Sequence, residues 1–205
     1  MVFTDILNIA IVVVGIIYSI ILHEVAHGFV ALLFGDDTAK LKKRLSLNPV
    51  RHIDPIGTLL LPLILFILKI PVFGWAKPVP INPLLFKNRR VGIIFVSIAG
   101  VMVNFLLMII MFFLFSRIKL EAFIILASLN LMLAIFNLLP FPPLDGYRFF
   151  SEILPSKVKY FLERFENIFL VIFLFLIVTG LIRYIYMPVY KFVANFFLSL
   201  FLGGS

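Results

Sequence analysis

Residues 5–34 read DILNIAIVVVGIIYSIILHEVAHGFVALLF, and this stretch decides the fold. It is apolar almost throughout and is followed by Gly35 and two aspartates, which end it. As an α-helix rising 1.5 Å per residue it is about 45 Å long, enough to cross a bilayer. The sequence therefore predicts one long membrane-spanning helix here, with His23, Glu24 and His27 near its C-terminal end.

The composition is that of a membrane protein. Of 205 residues, 63% are hydrophobic and 14% are charged, and the mean hydropathy is +1.17. A soluble domain of this length needs more polar surface. The net charge of +8 comes from Lys and Arg between apolar runs, which is typical of cytoplasmic anchors and predicts no nucleic-acid partner. The absence of cysteine excludes disulfides and thiolate ligands, and no basic n-region of a signal peptide precedes the first apolar stretch.

The rest of the chain predicts an all-α polytopic membrane protein with about five to six apolar helices. Val91–Phe115 and Ala122–Leu139 are the clearest further spans. A charged amphipathic stretch over Lys157–Glu166 leads into an apolar helix at 167–182. The last apolar helix, 188–202, either spans the bilayer or lies at its interface.

The segment 56–90 is predicted to enter the membrane and return to the same side instead of crossing it. Ile56–Ile70 is short for a span and contains a proline. Four prolines follow within 71–83, so this piece is expected to be extended. We expect a single membrane-embedded domain over 1–205, with a core at about 5–150 and C-terminal helices at about 157–203.

The sequence His23-Glu24-Val25-Ala26-His27 has the spacing of a zinc site. Residues four apart share one helix face, so both histidines can bind one metal ion, and Glu24 is placed as a general base rather than as a ligand. Ionisable groups in an apolar helix are costly and need a partner or a cavity. That cost disfavours the alternative of a chance motif with two neutral buried histidines.

Asp145 is the best candidate for a third protein ligand. It follows Pro140, Pro142 and Pro143 at the end of a predicted span. Irregular backbone at membrane depth is tolerated where it is buried in protein or lines a cavity. The alternative is an ordinary turn aspartate at the membrane surface. It is disfavoured because the two histidines of the zinc motif need a third protein ligand.

Three further stretches carry a family resemblance. They are LNPVRHIDPIGT at 47–58, FGWAKPVP at 73–80 and NLLPFPPLDG at 137–146. Together with the zinc motif they resemble the site-2 proteases, and most closely the compact prokaryotic branch without a PDZ domain, over about residues 15–150. The sequence departs from the family pattern at Val101, where proline is usual, and at Tyr147, where a second glycine is common.

The resemblance implies one zinc ion held by His23, His27 and Asp145, with Glu24 catalytic. It also implies that the substrates are transmembrane proteins cut within or near the bilayer. The predicted function is therefore that of an intramembrane zinc metalloprotease. The alternative is a membrane zinc transporter or a non-catalytic zinc-binding scaffold, although a scaffold would not need Glu24. The oligomeric state is left open.

Two polar residues are candidates of second rank. Asn137, at the end of its helix, is a candidate donor to the substrate backbone or to the developing oxyanion, or else it caps the helix. His52 is a candidate proton shuttle, transient ligand or substrate contact, or else it caps a loop. The shared face of Ser97, Gly100 and Asn104 predicts close helix packing.

The ligands can meet only if the first helix and the span before Asp145 end on the same side of the membrane. Residue 91 then begins on that side too. Thirteen cationic residues share that side: Lys40, Lys42, Lys43, Arg44, Arg51, Lys69, Lys77, Lys87, Arg89, Arg90, Arg148, Lys157 and Lys159. In the core only Arg117 and Lys119 lie opposite. The positive-inside rule then places the active site toward the cytoplasmic face of a prokaryotic inner or plasma membrane.

The proline-spaced segment 71–83 is expected near the zinc. As an extended edge it can pair with an unwound substrate by strand addition. The alternative is that it only plugs the lipid-facing side of the site, with Phe73 and Trp75 as interfacial anchors.

Overall fold

The structure is a computed structural model, and it describes residues 2–69, 74 and 76–202. This part of the chain is helical and contains no strand. Its helices are α1 (Val2–Leu33), α2 (Thr38–Leu41), α3 (Leu61–Ile67), α4 (Arg89–Ile118), α5 (Glu121–Asn137), α6 (Asp145–Ile153), α7 (Ser156–Arg164), α8 (Glu166–Val178) and α9 (Ile182–Leu202). A π-helical turn (Pro55–Leu60) leads into α3, and short 3₁₀ turns occur at Pro49–His52 and Pro83–Leu85.

Three of the described helices are long and apolar enough to cross a membrane. They are α1, α4 and α9. Three shorter apolar helices accompany them: α5, α8 and the segment Pro55–Ile67. The described part of the chain is therefore all-helical with three candidate membrane spans, while a total of five to six apolar helices in the bilayer stays a prediction.

Two helix boundaries differ from the sequence prediction. The last helix begins at Ile182, not at 188, and Pro188 lies inside it. Proline removes one backbone donor, but the apolar residues on both sides continue the helical pattern across that loss. The proline run before Asp145 was expected to break helical structure through Gly146, yet α6 begins at Asp145. A carboxylate in a first turn faces the positive end of the helix dipole, which favours this start.

The helices α1, α4 and α5 form the central bundle, and three contacts fix their directions. The Ala122 N–H donates to Asn8 Oδ1 (3.0 Å) where α1 and α5 begin. Asn130 Nδ2 donates to Ser19 Oγ (2.9 Å) halfway along. The Lys87 N–H, just before α4, donates to the Phe34 carbonyl (3.0 Å) just after α1. Thus α1 and α5 run parallel, α4 runs opposite, and the ends that carry the predicted ligands meet.

The apolar core lies between α4, α5 and α9. Met108, Phe112 and Leu131 are buried there. From α9, Phe197 and Phe201 stack on the Phe112 ring with centroids 6.1 and 6.3 Å apart. This packing holds α4 against α5 and α9.

The described residues 76–82 contain no helix, as their prolines predict. The segment is tied to the C-terminal end of α1, because the Asn82 N–H donates to the buried carboxylate of Asp36 (2.6 Å). Burial opposes ionisation of Asp36, but hydrogen bonds from Thr38 and Asn82 outweigh it and lower the pKa of this carboxyl. Phe73 and Trp75, the predicted interfacial anchors, lie outside the described residues.

Candidate metal centre

Three predicted ligands converge on one point. His23 Nε2 and His27 Nε2, on one face of α1, lie 3.1 Å apart. Asp145 Oδ2, from the first residue of α6, lies 3.1 Å from the first nitrogen and 3.2 Å from the second. Within the described residues this is the one group of three or more His, Cys, Asp or Glu side chains arranged to hold a metal ion.

The proton positions on these side chains favour a cation between them. His27 Nδ1 lies 2.6 Å from the Val96 carbonyl, which only accepts, so Nδ1 must carry the hydrogen. In a neutral imidazole the lone pair is then on Nε2, facing the other two ligand atoms. Asp145 Oδ2 is buried without a hydrogen-bond partner. Three electron-rich atoms this close repel one another unless a cation binds them, so the residues fit a zinc ion.

Gly100 lets α4 approach the ligands. A Cβ built at this glycine would lie 2.5 Å from His23 Cε1 and 2.5 Å from His27 Nε2. Any side chain here would displace the imidazole rings. The sequence predicted close packing of this face, and the structure shows that Gly100 packs against the rings of His23 and His27, the two predicted ligands.

Asn104 contacts the far side of the first ligand. Its Nδ2 lies 3.2 Å from His23 Nδ1, and its Oδ1 is buried without a partner. The two ends of an amide are assigned from the hydrogen-bond network. Exchanging them places Oδ1 where it accepts the His23 Nδ1 hydrogen, which leaves Nε2 free for the metal. The sequence predicted only close packing for Asn104, because its spacing of four from Gly100 places it on the packed face of the helix without identifying what it contacts.

Replacing Asn104 with Ala is expected to weaken zinc binding about 10–100-fold, because an outer partner fixes the tautomer and orientation of its histidine. Titration of the apoprotein against a competing chelator measures this change. Asn130→Ala is the matched control. Asn130 is equally buried, but it donates to Ser19 and to the Leu126 carbonyl instead of contacting a ligand. Equal zinc affinities of the two variants would contradict the assignment.

Glu24 lies on the same helix turn as the ligands and is not one of the three. Its Oε2 accepts a hydrogen bond from the Val79 N–H (3.0 Å). The Val79 side chain is buried and packs over Gly28, where an added Cβ would lie 2.7 Å from Val79 Cγ1. The segment 76–82 therefore covers the face of α1 that carries the predicted base.

Asn137 and His52 lie outside the ligand group. Asn137 Nδ2 donates to the Leu133 carbonyl (3.0 Å) one turn back along α5. His52 is buried, and its Nε2 donates to the Ser46 carbonyl (2.7 Å). Its main-chain carbonyl accepts from the Lys77 N–H (2.9 Å). Substrate or proton-transfer roles for these two residues stay predictions.

Known proteins are similar to this chain in sequence. The family described as "Peptidase family M50" matches residues 118–180, which include Asp145. "Putative zinc metalloprotease YwhC" of Bacillus subtilis (strain 168) is 42% identical over 190 residues, covering 86% of this chain and 84% of that protein. "Putative zinc metalloprotease Rip2" of Mycolicibacterium smegmatis is 28% identical over 190 residues, covering 88% and 72%. The protein of the same name from Mycobacterium tuberculosis (strain H37Rv) is 34% identical over 146 residues, covering 66% and 54%.

No solved structure matches the chain. The relatives named as zinc metalloproteases agree with the converging histidines and carboxylate, and the apolar helices agree with a membrane enzyme. The chain belongs to peptidase family M50, the site-2 protease family of zinc metalloproteases.

Proposed function

We propose that this protein hydrolyses peptide bonds of membrane-spanning substrate proteins near the cytoplasmic face of the membrane. It would use one zinc ion held by His23, His27 and Asp145, with Glu24 as the general base. The convergence of two Nε2 atoms and one carboxylate oxygen within 3.1–3.2 Å carries this proposal.

The chain's own residues divide the work of hydrolysis. When bound, zinc supplies a Lewis acid that polarises the carbonyl and lowers the pKa of water to about 7. Glu24 takes the proton of the attacking water and passes it to the leaving amine. Asn137 is the proposed donor to the developing oxyanion, once its amide turns from the Leu133 carbonyl to which it now donates.

The proposed position of the active site near the cytoplasmic face rests on the distribution of Lys and Arg residues and on the depth of the ligands in the membrane. His27 is six residues before the end of α1, so the site lies about 9 Å inside that end. The sequence places most Lys and Arg residues on this side, which the positive-inside rule makes cytoplasmic. A zinc transporter, by contrast, would need ligands spaced along a path through the membrane. The ligand group of the described residues lies at a single depth instead.

Hydrolysis is tested with the purified protein in detergent and a panel of peptides that each contain one membrane span. Cleavage is expected, and a chelator should abolish it until zinc is restored. Zinc flux into proteoliposomes without cleavage would instead favour the transporter. Cleavage that continues at full rate after complete zinc removal would contradict the proposed mechanism.

Segment 76–82 is proposed to hold the unwound substrate. A transmembrane helix hides its carbonyls in its own hydrogen bonds, and an unwound stretch must find new partners. The segment lies over Glu24, and the Ile81 N–H makes no hydrogen bond within the described part of the chain. Strand addition selects backbone conformation over side chains, so substrates with Gly, Pro or Asn near the cut should be preferred.

Val79→Pro and Ala76→Pro are each expected to slow cleavage about tenfold or more while zinc content stays at the wild-type level, because each loses a backbone donor. Val79→Ala is the control for the first, since it shortens the side chain and keeps the N–H that Glu24 accepts. Ala76→Pro reports on the segment without removing that bond. Unchanged cleavage rates in both proline variants would contradict strand addition and favour the alternative, in which the segment only plugs the lipid-facing side of the site.

A further inference from the structure

A cavity of about 360 Å³ lies beside the candidate metal centre. It is bounded by the first half of α4, by α6 and by the junction of α7 and α8. Its charged lining consists of Glu152, Glu163, Glu166 and Arg148, so carboxylates outnumber cations. We call this cavity the acidic cleft.

The acidic cleft shares walls with the metal centre. Val96 lines it, and the Val96 carbonyl is the group that accepts from His27 Nδ1. Tyr147 lines it too, two residues after the ligand Asp145. The cleft therefore adjoins the ligand group on the Nδ1 side of His27 and along the first turn of α6.

Part of the negative charge in the cleft is left unneutralised. Lys159 pairs closely with Glu152 (2.5 Å) and only loosely with Glu163 (3.9 Å). Within the described residues, Glu166 and Arg148 make no ion pair. One carboxylate is therefore neutralised, and the cleft retains an excess of negative charge on a side of the protein that is otherwise rich in Lys and Arg.

The Tyr147 hydroxyl is an unused polar group at this cleft. The residue is 7% exposed, and its oxygen is buried without a hydrogen-bond partner. Burying a hydroxyl without a partner is unfavourable, so a ligand that supplies one is favoured.

The chemistry of the lining selects the occupant. The three glutamates are not among the groups whose ligand atoms lie close enough to hold a metal ion, and their charge repels phosphate. A long side chain with a cationic end fits better, since its N–H groups can donate to carboxylates and to the tyrosine oxygen. The apolar wall of Ile81, Phe86 and Ile93 can cover its methylene stem.

We propose that the acidic cleft is a subsite for a Lys or Arg side chain of the substrate, next to the cut bond on its cytoplasmic flank. The inference rests on the proposed function. Membrane-spanning proteins carry an excess of Lys and Arg at their cytoplasmic ends, so the substrate class would supply such a side chain. The cleft would then set the position of the cut relative to the substrate's first basic residue.

The test uses single-span peptides that differ only in one residue, Lys or Gln, moved stepwise along the cytoplasmic flank. Binding to the Glu24→Gln protein is measured by fluorescence anisotropy, so the result does not depend on cleavage. At one position the Lys peptide is expected to bind about tenfold more tightly than its Gln twin, as a charge-assisted hydrogen bond predicts. Equal binding at every position, or no binding of either peptide, overturns the inference.

Variants of the lining identify the cleft as the source of this preference. Added to the Glu24→Gln background, Glu163→Gln with Glu166→Gln should abolish it, and Tyr147→Phe should reduce it. Glu121→Gln removes one carboxylate charge at the start of α5, on the opposite end of the bundle, and should leave the preference intact. A preference that survives the double variant overturns the assignment. If the wild-type protein cuts neither peptide but the preference is present, the proposed function fails and the subsite stands.

Discussion

Glu24→Gln is expected to leave zinc content and thermal unfolding at the wild-type level and to lower kcat about 10²–10⁴-fold, the range typical of general acid–base catalysis. Gln keeps a carbonyl oxygen that can accept from the Val79 N–H, so the contact that holds segment 76–82 over α1 is retained. What the variant loses is the carboxylate that takes a proton. Since Glu24 is not among the three converging ligands, the metal centre should stay intact.

The measurement compares kcat on a single-span peptide with zinc bound per protein and with the unfolding temperature. Glu121→Gln serves as the matched control, because it removes a carboxylate from the opposite end of the bundle. If Glu24→Gln cleaves at the wild-type rate, Glu24 is not the base. If zinc is lost with activity, Glu24 supports the metal centre instead of the proton transfer.

The ligand motif could be predicted from sequence because it is local. His23 and His27 share a face by helix periodicity alone, and an apolar stretch of this length has few alternatives to a helix. Asp145 is distant in sequence, but the family resemblance and the need for a third ligand both favoured it. The parallel course of α1 and α5 also followed from requiring these residues to meet, and the Asn8–Ala122 contact agrees with it.

The role of Asn104 could not be predicted, because it depends on the depth and rotation of α4 against α1. A helix face of small and polar residues shows that something packs closely, yet not what. The rotation is set by distant aromatic packing, including the stacking of Phe112 on Phe197 of α9. That helix was also misjudged at its start, since a proline was taken as a boundary where the structure continues through it.

The grouping of the charged residues in the acidic cleft could not be predicted from the sequence either. Glu152 belongs to α6 and Glu163 to α7. The stretch that contains Glu163 was predicted only as a charged amphipathic segment that leads into an apolar helix. The turn at Leu154 and Pro155 lets Glu152 of α6 and Glu163 of α7 line the same cavity. The departure from the family pattern at Tyr147 was noticed from sequence, but its buried hydroxyl becomes meaningful only with those neighbours in place.

Asp145→Ala is expected to lower zinc affinity more than Asn104→Ala does, because it removes a ligand atom itself. Loss of a residue that only hydrogen-bonds a ligand typically costs about 10–100-fold. Asp145 Oδ2 lies 3.1 and 3.2 Å from the two histidine nitrogens and has no other hydrogen-bond partner. Two histidines alone leave the metal short of the three protein ligands of a catalytic zinc site. Cleavage should therefore fall together with bound zinc, unlike in Glu24→Gln.

Asp54→Ala is the control that separates a lost ligand from a lost turn. Asp54 also precedes a helical turn, and its Oδ1 accepts from the Ile56 and Gly57 N–H groups, so its removal costs a cap and no ligand. Metal analysis after dialysis against a chelator should show zinc lost from Asp145→Ala and retained by Asp54→Ala.

Full occupancy in Asp145→Ala would mean that another group completes the site. His52 would be examined first, because its buried Nδ1 has no partner and its Nε2 is held only by the Ser46 carbonyl. If zinc is kept by Asp145→Ala and lost from Asp145→Ala with His52→Ala, His52 is the replacement ligand. Loss of zinc already in Asp145→Ala leaves the proposed ligand set at His23, His27 and Asp145.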